Sequence, residues 1–266
     1  MSDKILYIIF FVLLTLSGCE KPYNWAIKGD DMERLVVDGI ITNELKAQEI
    51  KLTRTNQDLN LPSVPVSGAE ISINDGESSY IFSETQPGIY LSVPFQAAIN
   101  ITYELIINLD GHQYKASSSV EPVTQLEELR VIWDETKNLY RYIPGNWGRP
   151  SMTEIYYNWS DIPAYCDSMG SCIAQETFYV LDNVDVNAVF GPEKLRIIFP
   201  AGTVLIRKKY GITDEHQQFI RSLLMETEWR GGVFDVLQGN IPTNLSNGAL
   251  GFFTACTVVS DTTIVN

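Results

Sequence analysis

From Leu35 onward, short runs of β-branched and aromatic residues are separated by turn residues at intervals of about ten, a cadence that points to layered β structure and leaves little room for helices. Leu35 to Ile41 reads as one strand. Glu49 to Thr55 (EIKLTRT) alternates apolar and polar residues strictly, as a half-buried strand does. Ala69 to Asn74 and Tyr80 to Ser83 flank Asp75-Gly76, and Ile101 to Leu109 and His112 to Ser118 flank Asp110-Gly111. Both pairs carry the Asp-Gly signal of a tight hairpin. With Gly88 to Val93, these runs make seven strands and predict an immunoglobulin-like or transthyretin-like β-sandwich over residues 34–122. The Pro- and Val-containing stretch Val120 to Val123 marks its boundary.

Residues 123–266 predict a second β-rich module with one surface helix, so the fold class is mainly β. Strand candidates are Glu128 to Trp133, Glu154 to Trp159, Thr177 to Leu181, Lys194 to Phe199, Thr203 to Tyr210 and Leu250 to Val259. The helix is expected over about 213–230. Thr213 is placed to cap it, Asp214 and Glu215 complement its dipole, and Gly231-Gly232 stops it. Phe219, Ile220, Leu223 and Leu224 form its apolar stripe, expected to pack on the second sheet.

Ahead of both modules lies a processed segment. Lys4 gives a short basic start and Ile5 to Leu16 form an apolar run of 12 residues. That is too short for a spanning helix, which needs roughly 18 or more apolar residues. The run ends in Leu16-Ser17-Gly18-Cys19, the pattern read by the bacterial lipoprotein signal peptidase. Residues 1–18 are therefore read as a signal peptide, Cys19 as the site of lipid attachment, and residues 19–33 as a flexible tether. The net charge of −14 argues against nucleic acid as a partner and against adhesion to anionic headgroups. Lipid on Cys19, rather than a basic patch, is what would hold such a chain to a membrane.

The chain carries no Gly-x-Ser-x-Gly, HExxH, paired CxxC or Walker loop, and no catalytic residue, metal site or cofactor is expected. His112, beside a hairpin turn, and His216, in the first helical turn, both read as solvated surface residues. Asp/Glu pairs meet in space rather than in sequence, which leaves a carboxylate-based hydrolase as the weakest of three functional readings. Cys166 and Cys172 bracket a short Gly- and Ser-containing loop and read as a disulfide, while Cys256 reads as a buried free thiol. Eight Trp or Tyr residues fall between Trp133 and Tyr165. Their flat rings with polar edges suit a sugar or peptide ligand, and Trp147, Tyr142 and Tyr140 are the candidate contacts. The alternative is that such rings fill the core. Asp182 to Asn187 spaces oxygen ligands alternately but lacks the glycine and terminal Glu of a calcium loop, so it reads as a solvated turn. Asn158-Trp159-Ser160 and Asn244-Leu245-Ser246 match a glycosylation pattern, which in a chain read as a bacterial lipoprotein is a false positive.

The stretches LVVDGIITNE (Leu35 to Glu44), IKLTRT (Ile50 to Thr55), PVSGAEISINDG (Pro65 to Gly76) and PGIYLS (Pro87 to Ser92) resemble the domain of unknown function 4249 family. So do YGITDEHQQFIRSLL (Tyr210 to Leu224), Gly239 to Asn244 and Gly248 to Cys256. The family usually has an Asp-Pro step after the helix, where this chain has Asp235-Val236. The resemblance implies an outer-membrane-associated lipoprotein of Bacteroidota, lipid-anchored and built of two β-rich parts, with no established activity. Such proteins often accompany TonB-dependent receptors, which makes a non-enzymatic accessory or binding role in uptake the leading expectation. A surface glycan-binding lipoprotein using the Trp/Tyr-rich face is the alternative.

Overall fold

Strict alternation sets the first sheet. In β1 (Leu35–Thr42), Val37 and Ile41 are fully buried while Asp38 between them is exposed. In β2 (Lys46–Arg54), Ile50 and Leu52 repeat the pattern. The other strands are β3 (Val64–Pro65), β4 (Glu70–Asn74), β5 (Ser79–Gln86), β6 (Ile89–Phe95), β7 (Thr102–Leu109) and β8 (His112–Ser119). The computed structural model describes residues 33–56, 61–145, 148–166, 168–182, 196–228 and 241–266. Asp110 and Gly111 both take positive φ, 51° and 77°, as a two-residue hairpin turn requires. At the other turn, Asp75 Oδ1 accepts from the Glu77 and Ser78 amides, and these bonds hold its carboxyl below the usual range.

These strands lie in one nine-stranded sheet ordered β15-β1-β2-β6-β5-β4-β7-β8, with β3 beside β2. The end strand β15 (Leu250–Cys256) comes from the far end of the chain and pairs with β1 in parallel, Val37 opposite Gly251 and Thr42 opposite Cys256. The division at 122/123 is thus one of sequence but not of space, because part of the predicted second module completes the first sheet. The sheet folds over a single core that includes Val37, Ile50, Ile73, Leu105 and Phe253. Its two end strands also meet: Ser118 Oγ accepts from the Ala255 amide at 3.0 Å, and Asn244 bridges Ser117 O and Phe253 O. Covering β8 in this way removes an edge open to foreign strands.

Leu250 to Val259 is not one strand. It breaks at Thr257, and the chain continues as β16 (Val258–Ile264) in a different sheet. Thr257 is held there by its hydroxyl, which donates to Glu121 O and accepts from the Val123 amide. The second module pairs two sheets. One is antiparallel, β12-β11-β14-β16, with β11 (Ser151–Asn158), β12 (Ile173–Val180) and β14 (Val204–Gly211). The other joins β9 (Val131–Asp134), β10 (Leu139–Tyr142) and β13 (Ile198–Phe199). Their shared core includes Tyr142, Ile155, Tyr157, Phe199, Leu205 and Val265.

Helix α1 (Asp214–Thr227) has Thr213 as its N-cap, whose Oγ1 accepts from the His216 amide at 3.1 Å. The predicted stop at Gly231-Gly232 lies outside the described residues. The buried face is His216, Ile220, Leu224 and Met225, whereas Leu223 is 36% exposed. The expected stripe was therefore displaced by one position, because the i, i+4 ladder starts at His216, a residue read from sequence as polar surface. α1 covers Met152, Tyr210, Val258 and Ile40, so it seals the corner between the two modules. Leu224→Ala should cost about 2–4 kcal/mol through the cavity it leaves, and Leu223→Ala less than about 1 kcal/mol. Parallel thermal melts of the two variants check this ordering.

Candidate functional site

Among the described residues, the aromatic segment does not form an open platform. Tyr142, on β10, is 5% exposed, its ring lies 5.5 Å from that of Phe178, and its hydroxyl meets the Arg207 guanidinium. It is a core residue and presents no face to a ligand. Tyr140 is half-buried, and its hydroxyl donates to Asn266 O at 2.9 Å. Its ring lies 4.6 Å from Trp133 and 6.3 Å from Phe199, which in turn lies 5.1 Å from Tyr157. These rings step from the exposed edge of β9 into the core, with interplanar angles of 56°, 26° and 45°, so they share no plane. Trp147 lies outside the described residues, as do Cys19, Asp235-Val236 and residues 183–187 of the oxygen-rich stretch.

The inner face of β14 carries what the sequence hid. Arg207 and Lys209 are 3% and 1% exposed, one register step apart under the segment that links the modules. Arg207 pairs with Asp261, and Lys209 donates to Glu127 and to Thr124 Oγ1. A buried cation without its partner is costly, so the Arg207 pair fixes β16 against β14 and the Lys209 contacts fix how the linking segment crosses the sheet. In the Lys208-Lys209 pair only the strand period of two separates the residue facing Glu44 outside from the one buried inside. On the outer face, Glu154 Oε2 accepts from the Tyr210 hydroxyl at 2.8 Å and the Tyr156 hydroxyl at 3.2 Å.

Cys166 and Cys172 are joined, with Cα atoms 5.2 Å apart. Cys256 is free and 1% exposed, and burial pushes its thiol up to about 12, which leaves it unreactive at neutral pH. His112 is exposed. His216 is not: it is 6% exposed, stacked at 4.8 Å on Phe252, and burial lowers its pKa to about 4. The expectation of a solvated His216 fails because the helix turns this position onto β15 rather than outward.

At the junction of the modules a cleft of about 740 Å³ brings together residues far apart in sequence. Thr102 and Ser117 to Ser119 come from the adjacent ends of β7 and β8, Glu121 and Arg149 from connecting segments, Thr213 to Glu215 from the start of α1, and Asn244 and Phe252 from β15 and its approach. Several of these groups are used by the fold. Asn244 ties β8 to β15, Ser118 accepts from Ala255, Thr213 caps α1, and the Thr102 and Ser119 hydroxyls bond each other at 2.8 Å. Glu121 and Arg149 form only a loose pair at 3.8 Å. No spacing motif announces this cleft; it depends on β15 returning to β1, which no local signal encodes. Among the described residues, no group of three or more His, Cys, Asp or Glu side chains is placed to hold a metal ion.

Two β modules laced together by one returning strand, with a polar cleft at their junction, define a mainly β protein rather than two independent sandwiches. The chain belongs to the domain of unknown function family DUF4249, whose sequence model matches residues 20–262. No curated protein matches it.

Proposed function

We propose that this is a lipid-anchored, non-enzymatic accessory or binding protein of the bacterial outer membrane that assists a TonB-dependent uptake system. The observation that carries the reading is positional. The family match begins at residue 20, directly after Cys19, so the shared body starts where cleavage at Leu16-Ser17-Gly18-Cys19 would leave the mature chain. Among the described residues no helix is long and apolar enough to cross a membrane, and acyl chains on Cys19 supply an anchor that needs none. The same resemblance suggests Bacteroidota as the source and a receptor barrel as the partner.

Cys19→Ala should abolish acyl labelling and move the protein to soluble fractions. Undiminished labelling of the variant would end the lipoprotein reading. For the uptake role, the acylated protein purified from native outer membranes should bring a TonB-dependent receptor with it in stoichiometric amount. Recovery of the acylated protein alone after mild cross-linking would count against that role.

A further inference from the structure

We infer that the junction cleft binds an oligosaccharide, a polyhydroxylated ligand without negative charge. At about 740 Å³ the cleft is the size of a small-ligand site, but its wall departs from the usual apolar lining. Among the described residues Phe252 is the only aromatic in its lining, and at 7% exposed, stacked on the His216 and Phe219 rings, it gives an apolar ligand little to bury against. Among the described residues an anionic ligand would meet the carboxylates of Glu121, Asp214 and Glu215 against the one cation of Arg149.

A sugar hydroxyl differs from both because it donates and accepts at once. Carboxylates only accept, a guanidinium only donates, and a serine hydroxyl does either. Glu121, Asp214 and Glu215 therefore offer acceptors, Arg149 offers a fork of donors, and Ser117 complements whichever is left. The Glu121 and Arg149 side chains are 39% and 64% exposed, and their separation of 3.8 Å leaves them able to turn toward hydroxyls between them. The cleft is also shaped before any ligand arrives, since Asn244, Ser118 and Thr213 lock its walls through bonds the fold already makes. The inference stands apart from acylation of Cys19, and its failure would leave the labelling result above untouched.

The test is affinity electrophoresis of the detergent-solubilised mature protein through gels containing amylopectin, xylan or mannan as neutral polysaccharides, and alginate or heparin as acidic ones. Retardation is expected in at least one neutral gel and in neither acidic gel. Arg149→Ala and Glu121→Gln should each weaken it by roughly tenfold or more, the loss of a charged hydrogen bond. Trp133→Ala, at the exposed end of the aromatic row, should leave it unchanged. Circular dichroism confirms that each variant is folded. Retardation in no neutral gel, equal retardation in acidic gels, or binding insensitive to both cleft variants overturns the inference. Binding lost in Trp133→Ala but kept in the cleft variants places the ligand on the aromatic row instead.

Discussion

Gly251→Ala should lower stability by about 4 kcal/mol or more, among the largest effects of any single methyl group in this chain. Gly251 stands opposite Val37 with φ at +89°, and a Cβ there would overlap the Val37 carbonyl oxygen and crowd its backbone. Two penalties coincide: the conformation suits glycine, and the obstacle is backbone that a rotamer change cannot move. Gly76 provides the control, since its φ is +95° but a Cβ would meet open space, so Gly76→Ala carries only the conformational cost of about 1 kcal/mol. Urea denaturation of both variants measures the difference. Amide exchange along β1 should also rise in Gly251→Ala as β15 loses its seat. A midpoint close to wild type in Gly251→Ala would mean that β15 is not held against β1.

Acid should weaken the fold through His216 before the carboxylates contribute much. Its ring packs on Phe252 and Phe219, its Nδ1 has no hydrogen-bond partner among the described residues, and burial lowers its pKa to about 4 from an ordinary 6.5. The unfolded chain takes up this proton first, so the contribution to stability is complete above pH 6.5 and falls as the pH drops toward 4. The loss amounts to about 3 kcal/mol over that window, since each pKa unit is worth about 1.4 kcal/mol. His216→Phe keeps a ring on Phe252 and removes the titration. Its stability should be nearly flat from pH 6.5 to 5, where the wild type declines. Parallel slopes for the two proteins would show that His216 is solvated in solution.

What the sequence discloses and what it withholds divide along a physical line. All seven runs between Leu35 and Ser118 are strands because alternation and Asp-Gly turns are local signals, legible in a window of ten residues or so. The Thr213 cap is legible for the same reason. Partnership between distant strands is not. Nothing in LGFFTAC says that it pairs with β1 rather than with β14, and Thr257 resembles any β-branched strand residue until its hydroxyl is seen to bridge Glu121 and Val123. The helix face was misjudged by one position because a histidine counts as polar in any periodicity, although its ring can stack like a phenylalanine. Tyr142 was read as a ligand contact because its burial depends on a second sheet whose strands β9 and β10 are each four residues long. The junction cleft inherits this illegibility, since each of its walls comes from a different part of the chain.

The parallel pairing of β15 with β1 also dictates timing. A chain emerging from its amino terminus presents β1 to β8 early, yet the edge of β1 opposite β2 has no neighbour until residue 256 has appeared, more than two hundred positions later. Closing so long a loop is slow, and until it closes β1 offers a bare row of amides and carbonyls to any passing strand. Residues 250–256 finish the first sheet and, past Thr257, residues 258–264 finish the second as well. A chain cut short anywhere before residue 250 therefore leaves both modules open, and the free edge of β1 stays bare for as long as the strand that covers it takes to arrive.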